Sequence, residues 1–147
     1  MDKPLFIVWQ DGFSQQQTII DEQHRALVAT INSLNYFLQE HQLLDVLTPT
    51  LRLLTHYMQF HYKTEQGILQ AMEYPDLKGY IDQSNQIVYE FKQLCEDAIH
   101  YNDPEIVMHY LRDWWHAHLH LHDKITSYLH DWRGEYCRVE NTGREKN

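Results

Sequence analysis

Apolar residues recur at three- and four-residue steps in four stretches of the chain, the spacing that lines one face of an α-helix. The first stretch runs through Ile20, His24, Leu27, Ile31, Leu34 and Leu38, after an irregular arm carrying Phe6 and Trp9. The second runs through Leu54, Met58, His61, Glu65, Ile68 and Met72. Its start is predicted after Thr48 and Pro49, a capping residue followed by a proline suited to a first helical position. Tyr74-Pro75 breaks that pattern, since proline lacks a backbone donor and restricts the residue before it. A third stretch follows through Tyr80, Ser84, Ile87, Phe91, Leu94 and Ala98. Asn102-Asp103-Pro104 makes the turn into a fourth, read from Val107, Leu111, Trp115, His118, His122, Ile125 and Leu129. The period-two alternation of HAHLHLHD at 116–123 is embedded in this last pattern and is read as helix.

Four long amphipathic segments joined by short connections predict an all-α fold: an up-down-up-down antiparallel four-helix bundle with an N-terminal arm. The bundle is placed at 1–132 and a polar C-terminal tail at 133–147. With only 5 Gly and 4 Pro in 147 residues, few positions interrupt a helix. The 21 acidic against 12 basic residues, a formal net charge of -9, argue against nucleic acid and anionic membrane as partners. No apolar run approaches the length of a membrane span, so a soluble, cytoplasmic chain is expected. Cys95 and Cys137 are too sparse for a disulfide scaffold and are read as reduced thiols.

The 11 histidines change the picture. His24, His61 with Glu65 one turn later, and His118 with His122 one turn later all fall within the apolar stripes, so three helices aim metal-ligand groups at the middle of one bundle. Any one of them reads most simply as a hydrogen-bonded or boundary residue. Burying all of them together costs free energy unless they are paired or share a cation. His116 and His120 fall on the opposite face of the fourth helix and are expected in solvent, while His41, His56, His100, His109 and His130 are assigned to surface or boundary positions.

The motifs Trp9, IDEQH at 20–24, HYKTE at 61–65, Tyr74-Pro75 and WWHAHLHLHD at 114–123 resemble those of the bacterial hemerythrin family, over a span from Trp9 to about Tyr128. The resemblance implies a bundle that holds two non-haem irons through five histidines, one glutamate and one aspartate, and binds oxygen between them. Position by position, it makes His24 and His61 ligands of one iron, Glu65 and Asp123 the bridging carboxylates, and His118 a ligand of the other iron. The third helix departs from the family, which has histidines where this chain has Tyr80 and Ser84. His118 and Asp123 also lie about 140° apart around an ideal helix, so reaching one site together calls for local widening of the π type.

Three arrangements follow. Tyr80 supplies a phenolate and His122 an imidazole to a rebuilt two-metal site; or one ion is held by His24, His61 and one or both carboxylates; or Tyr80 and Ser84 hydrogen-bond a pocket without metal. The corresponding functions are a non-enzymatic iron protein, with one or two ions, that binds or senses dioxygen or another small diatomic; an oxidising enzyme with a mononuclear or rebuilt di-iron site; and a metal-independent interaction or regulatory bundle. The first is the expected one.

Overall fold

The structure is a computed structural model. It describes the backbone of residues 3–143 and the side chains of residues 3–43 and 46–131. Helix α1 spans Thr18–Gln39, α2 Leu44–Ala71, α3 Leu77–His100 and α4 Glu105–Gly143, and a short 3-10 turn, Asp11–Phe13, lies in the arm. The four helices form an all-α, up-down-up-down antiparallel bundle, α2 packing on both α1 and α3, and α3 on α4. Among the described residues, no helix is long and apolar enough to cross a membrane. The backbone of α4 runs to Gly143, into the segment read as a tail; the side chains of 132–147, Cys137 included, lie outside the described residues, as does all of 144–147.

The turns explain why the helices stop where they do. His41, Glu73 and Asn102 adopt positive φ of 57°, 53° and 51°. After each, a backbone N–H reaches five residues back: Gln42 to the Phe37 carbonyl at 3.1 Å, Tyr74 to Leu69 at 3.0 Å and Asp103 to Ala98 at 3.0 Å. This is the Schellman closure, which satisfies carbonyls left bare at a helix end. Glycine is favoured at its left-handed position. The glutamate in that place costs about 1 kcal/mol of strain, which the satisfied carbonyls offset. Tyr128 of α4 ties the second turn down, its hydroxyl lying 3.0 Å from the Met72 carbonyl and 2.9 Å from that of Glu73.

Two expectations shift, the first by more than a turn and the second by part of one. Helix α2 begins at Leu44, not after Pro49, which lies inside it. The earlier start buries Leu47 to 1 % exposure, worth about 2 kcal/mol. That offsets much of the cost of Pro49, about 3 kcal/mol, which comes from the missing donor and from the ring crowding the carbonyl one turn back. On α3 the buried stripe is Tyr80, Ser84, Val88, Phe91, Cys95 and Ala98, with Ile87 and Leu94 only half-buried at its edge. A 3.6-residue turn drifts against steps of three and four, and Val88 and Cys95 fall nearer the centre of the face.

Leu27, Ile31, Leu34, Leu47, Leu54, Met58, Phe91 and Leu111 fill one end of the bundle. The other end holds the histidines. The N-terminal arm straps the seam between α1 and α4, running from the apolar end to the histidine end. Ile7 exchanges two hydrogen bonds with the Asn32 side chain, both 2.8 Å. Phe6 lies under Arg112 of α4, and Trp9 under Arg25 of α1. Trp9 and Phe13 then meet Trp115 of α4, with ring centroids 6.4 and 5.5 Å away.

Candidate metal centre

His24 comes from α1, His61 and Glu65 from adjacent turns of α2, and His118 and His122 from adjacent turns of α4. All five are buried, and one ligand atom from each lies within 4.8 Å of every other. His118 Nε2 is central: it is 3.1 Å from Nε2 of His24, 2.9 Å from that of His61, 3.1 Å from that of His122 and 3.3 Å from Glu65 Oε1. The other four follow one another around it. His24 and His61 Nε2 are 3.1 Å apart, His61 Nε2 is 2.7 Å from Glu65 Oε1, and that oxygen pairs with His122 Nε2. Across this ring, His24 Nε2 is 3.7 Å from Glu65 Oε1.

Hydrogen bonding alone does not satisfy this cluster. Two imidazoles bond through a facing pair of nitrogens only if one carries the proton and the other does not. The Nε2 atoms of His24, His61 and His118 form a triangle with sides of 2.9–3.1 Å. In any triangle at least two members share the same protonation, so at least one side is a repulsive contact. The network assigns the state of His61. Thr64 Oγ1 donates to the Phe60 carbonyl at 3.2 Å and so accepts from Gln23 Nε2 at 3.0 Å. Gln23 Oε1 therefore faces His61 and accepts from its Nδ1 at 2.9 Å, which leaves Nε2 of the neutral ring bare. A cation at the centre lets every Nε2 present a lone pair to one acceptor.

The electrostatics favour the same state. Burial lowers His24 from the usual 6.5 to about 3, more than the Glu65 side chain beside it restores. Burial likewise lowers His118 to about 4. Burial opposes ionisation of Glu65, but His118 and His61 outweigh it and hold the carboxyl well below the usual carboxylate range. His24 and His118, neutral beside a carboxylate anion, belong to a donor set matched to a divalent ion.

Gln23 supports the centre from outside, as partners of ligating histidines generally do, by fixing a tautomer. His24 lacks such a partner: its Nδ1 is buried without a hydrogen bond, and the ring meets Trp115 edge-on at 5.3 Å. Trp114 stacks on His118 with centroids 4.9 Å apart and donates through Nε1 to Tyr62 Oη at 2.8 Å. Gln23 went unread in the sequence, although it directly precedes His24 and lies on a buried position of the same face.

The two third-helix residues occupy different places. Tyr80 Oη donates to Glu65 Oε2, the oxygen not shared with the imidazoles. Ser84 takes no part in the cluster: its hydroxyl donates to the Ile81 carbonyl and accepts from Gln66 Nε2, both at 3.0 Å. Asp123 is exposed and outside the cluster. Helix α4 is α-helical through this region, without π widening, so the residue one turn beyond His118 faces inward and the residue five beyond faces out. His122, one turn beyond His118, joins the cluster, and Asp123 does not. The remaining seven histidines, His41, His56, His100, His109, His116, His120 and His130, are all exposed.

Tyr80→Phe tests the Tyr80 contact without reference to metal. It leaves Glu65 Oε2 buried and short of a donor, and is expected to destabilise the metal-free chain by about 2 kcal/mol, read from the urea midpoint. An unchanged midpoint would remove Tyr80 from the carboxylate's support. Comparison with protein-family models and with curated proteins gives no match for this chain.

Proposed function

We propose that the chain is a hemerythrin-like non-haem iron protein that holds one ion through His24, His61, His118, His122 and Glu65. In this reading it binds or senses dioxygen or another small diatomic at the position those donors leave open. The supporting observation is the spacing of the donors. Two ligands at right angles, each about 2.1 Å from an ion, are about 3.0 Å apart, whereas tetrahedral ligands at that bond length are about 3.4 Å apart. The separations of 2.9–3.1 Å among the imidazoles are close to those of the right-angled set, and five donors exceed the four of a closed tetrahedral zinc site. His118 stands within 3.3 Å of each of the other four donors, so all five converge on one point. The compactness of the set, five ligand atoms within 4.8 Å of one another, supports one ion in preference to two.

When bound, ferrous iron supplies reversible coordination of a diatomic or one-electron chemistry with it. The chain's own residues do the rest. Gln23 holds the His61 proton on Nδ1, and Tyr80 engages Glu65 Oε2, so the carboxylate offers Oε1 alone and does not close the remaining position with a second oxygen. Trp115, Trp9 and Phe13 exclude water from the His24 side. A cavity of about 20 Å³ adjoins the cluster at Glu65 and His122, room for a molecule the size of water or a diatomic and too little for an organic substrate. That size favours a binding or sensing role over oxidation of a separate substrate, and the unsatisfiable nitrogen triangle disfavours a metal-independent bundle.

The test is ligand binding by the ferrous-loaded chain without an affinity tag. A saturable optical change on adding nitric oxide, reversed by gas exchange, is expected. A spectrum that does not respond, in protein shown to retain iron, would overturn the diatomic reading.

A further inference from the structure

The arm does more than cover the seam. The small cavity beside Glu65 and His122 is lined by the aliphatic Ile20, Leu69, Ile125 and Leu129 and by the polar Gln15, Gln17 and Thr126. A second cavity, of about 70 Å³, reaches Gln16 and His130 and shares Gln15, Gln17, Thr126 and Leu129 with the first. One hydrogen bond joins two of the shared residues: Thr126 Oγ1 of α4 donates to Gln15 Oε1 of the arm at 2.8 Å. Gln15 is 4 % exposed, and its Nε2 donates to the Phe13 carbonyl at 3.2 Å.

The segment carrying Gln15 is pinned at one point and strained at the next. Asp21, at the start of α1, accepts from Ser14 Oγ at 2.5 Å and from the Gln15 backbone N–H at 2.7 Å. Gln16 then adopts φ of 55°, a left-handed conformation unfavourable to a residue with a Cβ. The Asp21 contacts hold the backbone in place, so the Gln15 side chain can swing on a fixed hinge by giving up only its contacts to Thr126 and Phe13.

We propose that the Gln15–Thr126 hydrogen bond is the closed state of a gate, through which a neutral diatomic passes from the outer vestibule to an apolar subsite beside Glu65 and His122. The walls select such a ligand. Aliphatic side chains offer nothing to replace the hydration of an ion, and the volume holds a single small molecule. The last step, from subsite to ion, rests on the metal reading above; the subsite and gate do not.

Two measurements on the full chain test this separately. In the first, the zinc-loaded and the metal-free protein are placed under elevated oxygen pressure and methyl relaxation is recorded by NMR. Paramagnetic relaxation by dissolved oxygen is expected to be strongest at the Ile20, Ile125 and Leu129 methyls. Effects there no larger than at Leu34 and Leu54, in the opposite end of the core, would overturn the subsite. In the second, nitric oxide association with the ferrous protein is timed by stopped flow in the parent chain, Thr126→Val and Gln15→Ala. Each variant is expected to raise the association rate about fivefold, the factor that corresponds to one neutral hydrogen bond. Unchanged rates in both, with parental thermal stability, would overturn the gate. If the ferrous protein fails to respond to nitric oxide at all, the oxygen relaxation pattern still decides the subsite.

Discussion

Glu65→Gln is expected to abolish tight metal binding, lowering affinity for a divalent ion by more than about a hundredfold, while leaving the bundle folded. Glutamine keeps the length and planarity of the side chain but not its charge, and Glu65 supplies the single anion among the five converging donors. Its Oε1 lies 2.7 Å from His61 Nε2 and 3.3 Å from His118 Nε2, so it cannot be replaced by a neighbour without moving α2 against α4. Altering a residue that merely supports a ligand costs roughly 10–100-fold in metal affinity, and removing the charged ligand itself costs more. Competition with a chromophoric chelator reads the affinity, and circular dichroism confirms the fold. Asp123→Asn is the control, because that carboxylate is exposed and away from the cluster. Equal affinity in Glu65→Gln and the parent would refute the donor set, as would a loss in Asp123→Asn.

Acidification is expected to release the metal and unfold the metal-free chain, with the loss beginning near pH 6.5. Above that pH, His24 and His118 are neutral whether the chain is folded or not, and contribute no pH dependence. Below it the unfolded chain takes up protons at both, while the folded chain does not until about pH 4 for His118 and about pH 3 for His24. The unfolded state binds more protons throughout this window, so stability falls as pH falls. Two such groups give a slope of about 3 kcal/mol per pH unit. Glu65 adds to it below the unfolded carboxylate range, because its folded carboxyl is held low and its stabilisation is lost on protonation. A bound ion competes with protons for the same nitrogens and shifts the transition to lower pH. Urea midpoints from pH 7.5 to 4.5, with and without metal, measure both effects. A flat profile would mean that the histidines take up protons in the folded state and are not buried as described.

How much of this was legible in the sequence depended on whether periodicity or motif was followed. Four-residue steps brought His61 with Glu65, and His118 with His122, onto the same faces, and the structure brings those residues together with His24. The family resemblance instead favoured Asp123, five residues beyond His118, and in a regular helix that step points away. Periodicity was the better guide there because helix phase is a geometric constraint, whereas the motif assumes the backbone distortion that accompanies it. On the third helix the same three-and-four counting left Val88 against Ile87, and Cys95 against Leu94, to be separated by packing.

Other features had no signal of that kind. Pro49 and Thr48 read as a helix start, yet the apolar demand of Leu47 pulled α2 back to Leu44. The arm showed only scattered aromatic residues, and its course along α1 and α4 is fixed by single contacts, Ile7 with Asn32 and Gln15 with Thr126, that no local pattern announces. Gln23 is similar. Its role depends on Thr64 and His61, both contributed by another helix, and becomes visible only when the hydrogen-bond directions are traced around the network.

The central claim is one ion held by four imidazoles and one carboxylate, and metal stoichiometry tests it most directly. The untagged chain is loaded anaerobically with ferrous iron, desalted and measured for iron per chain, beside Glu65→Gln and His118→Ala. One iron per parent chain, with almost none in either variant, is the predicted result; two per parent chain, or none after loading, would contradict it.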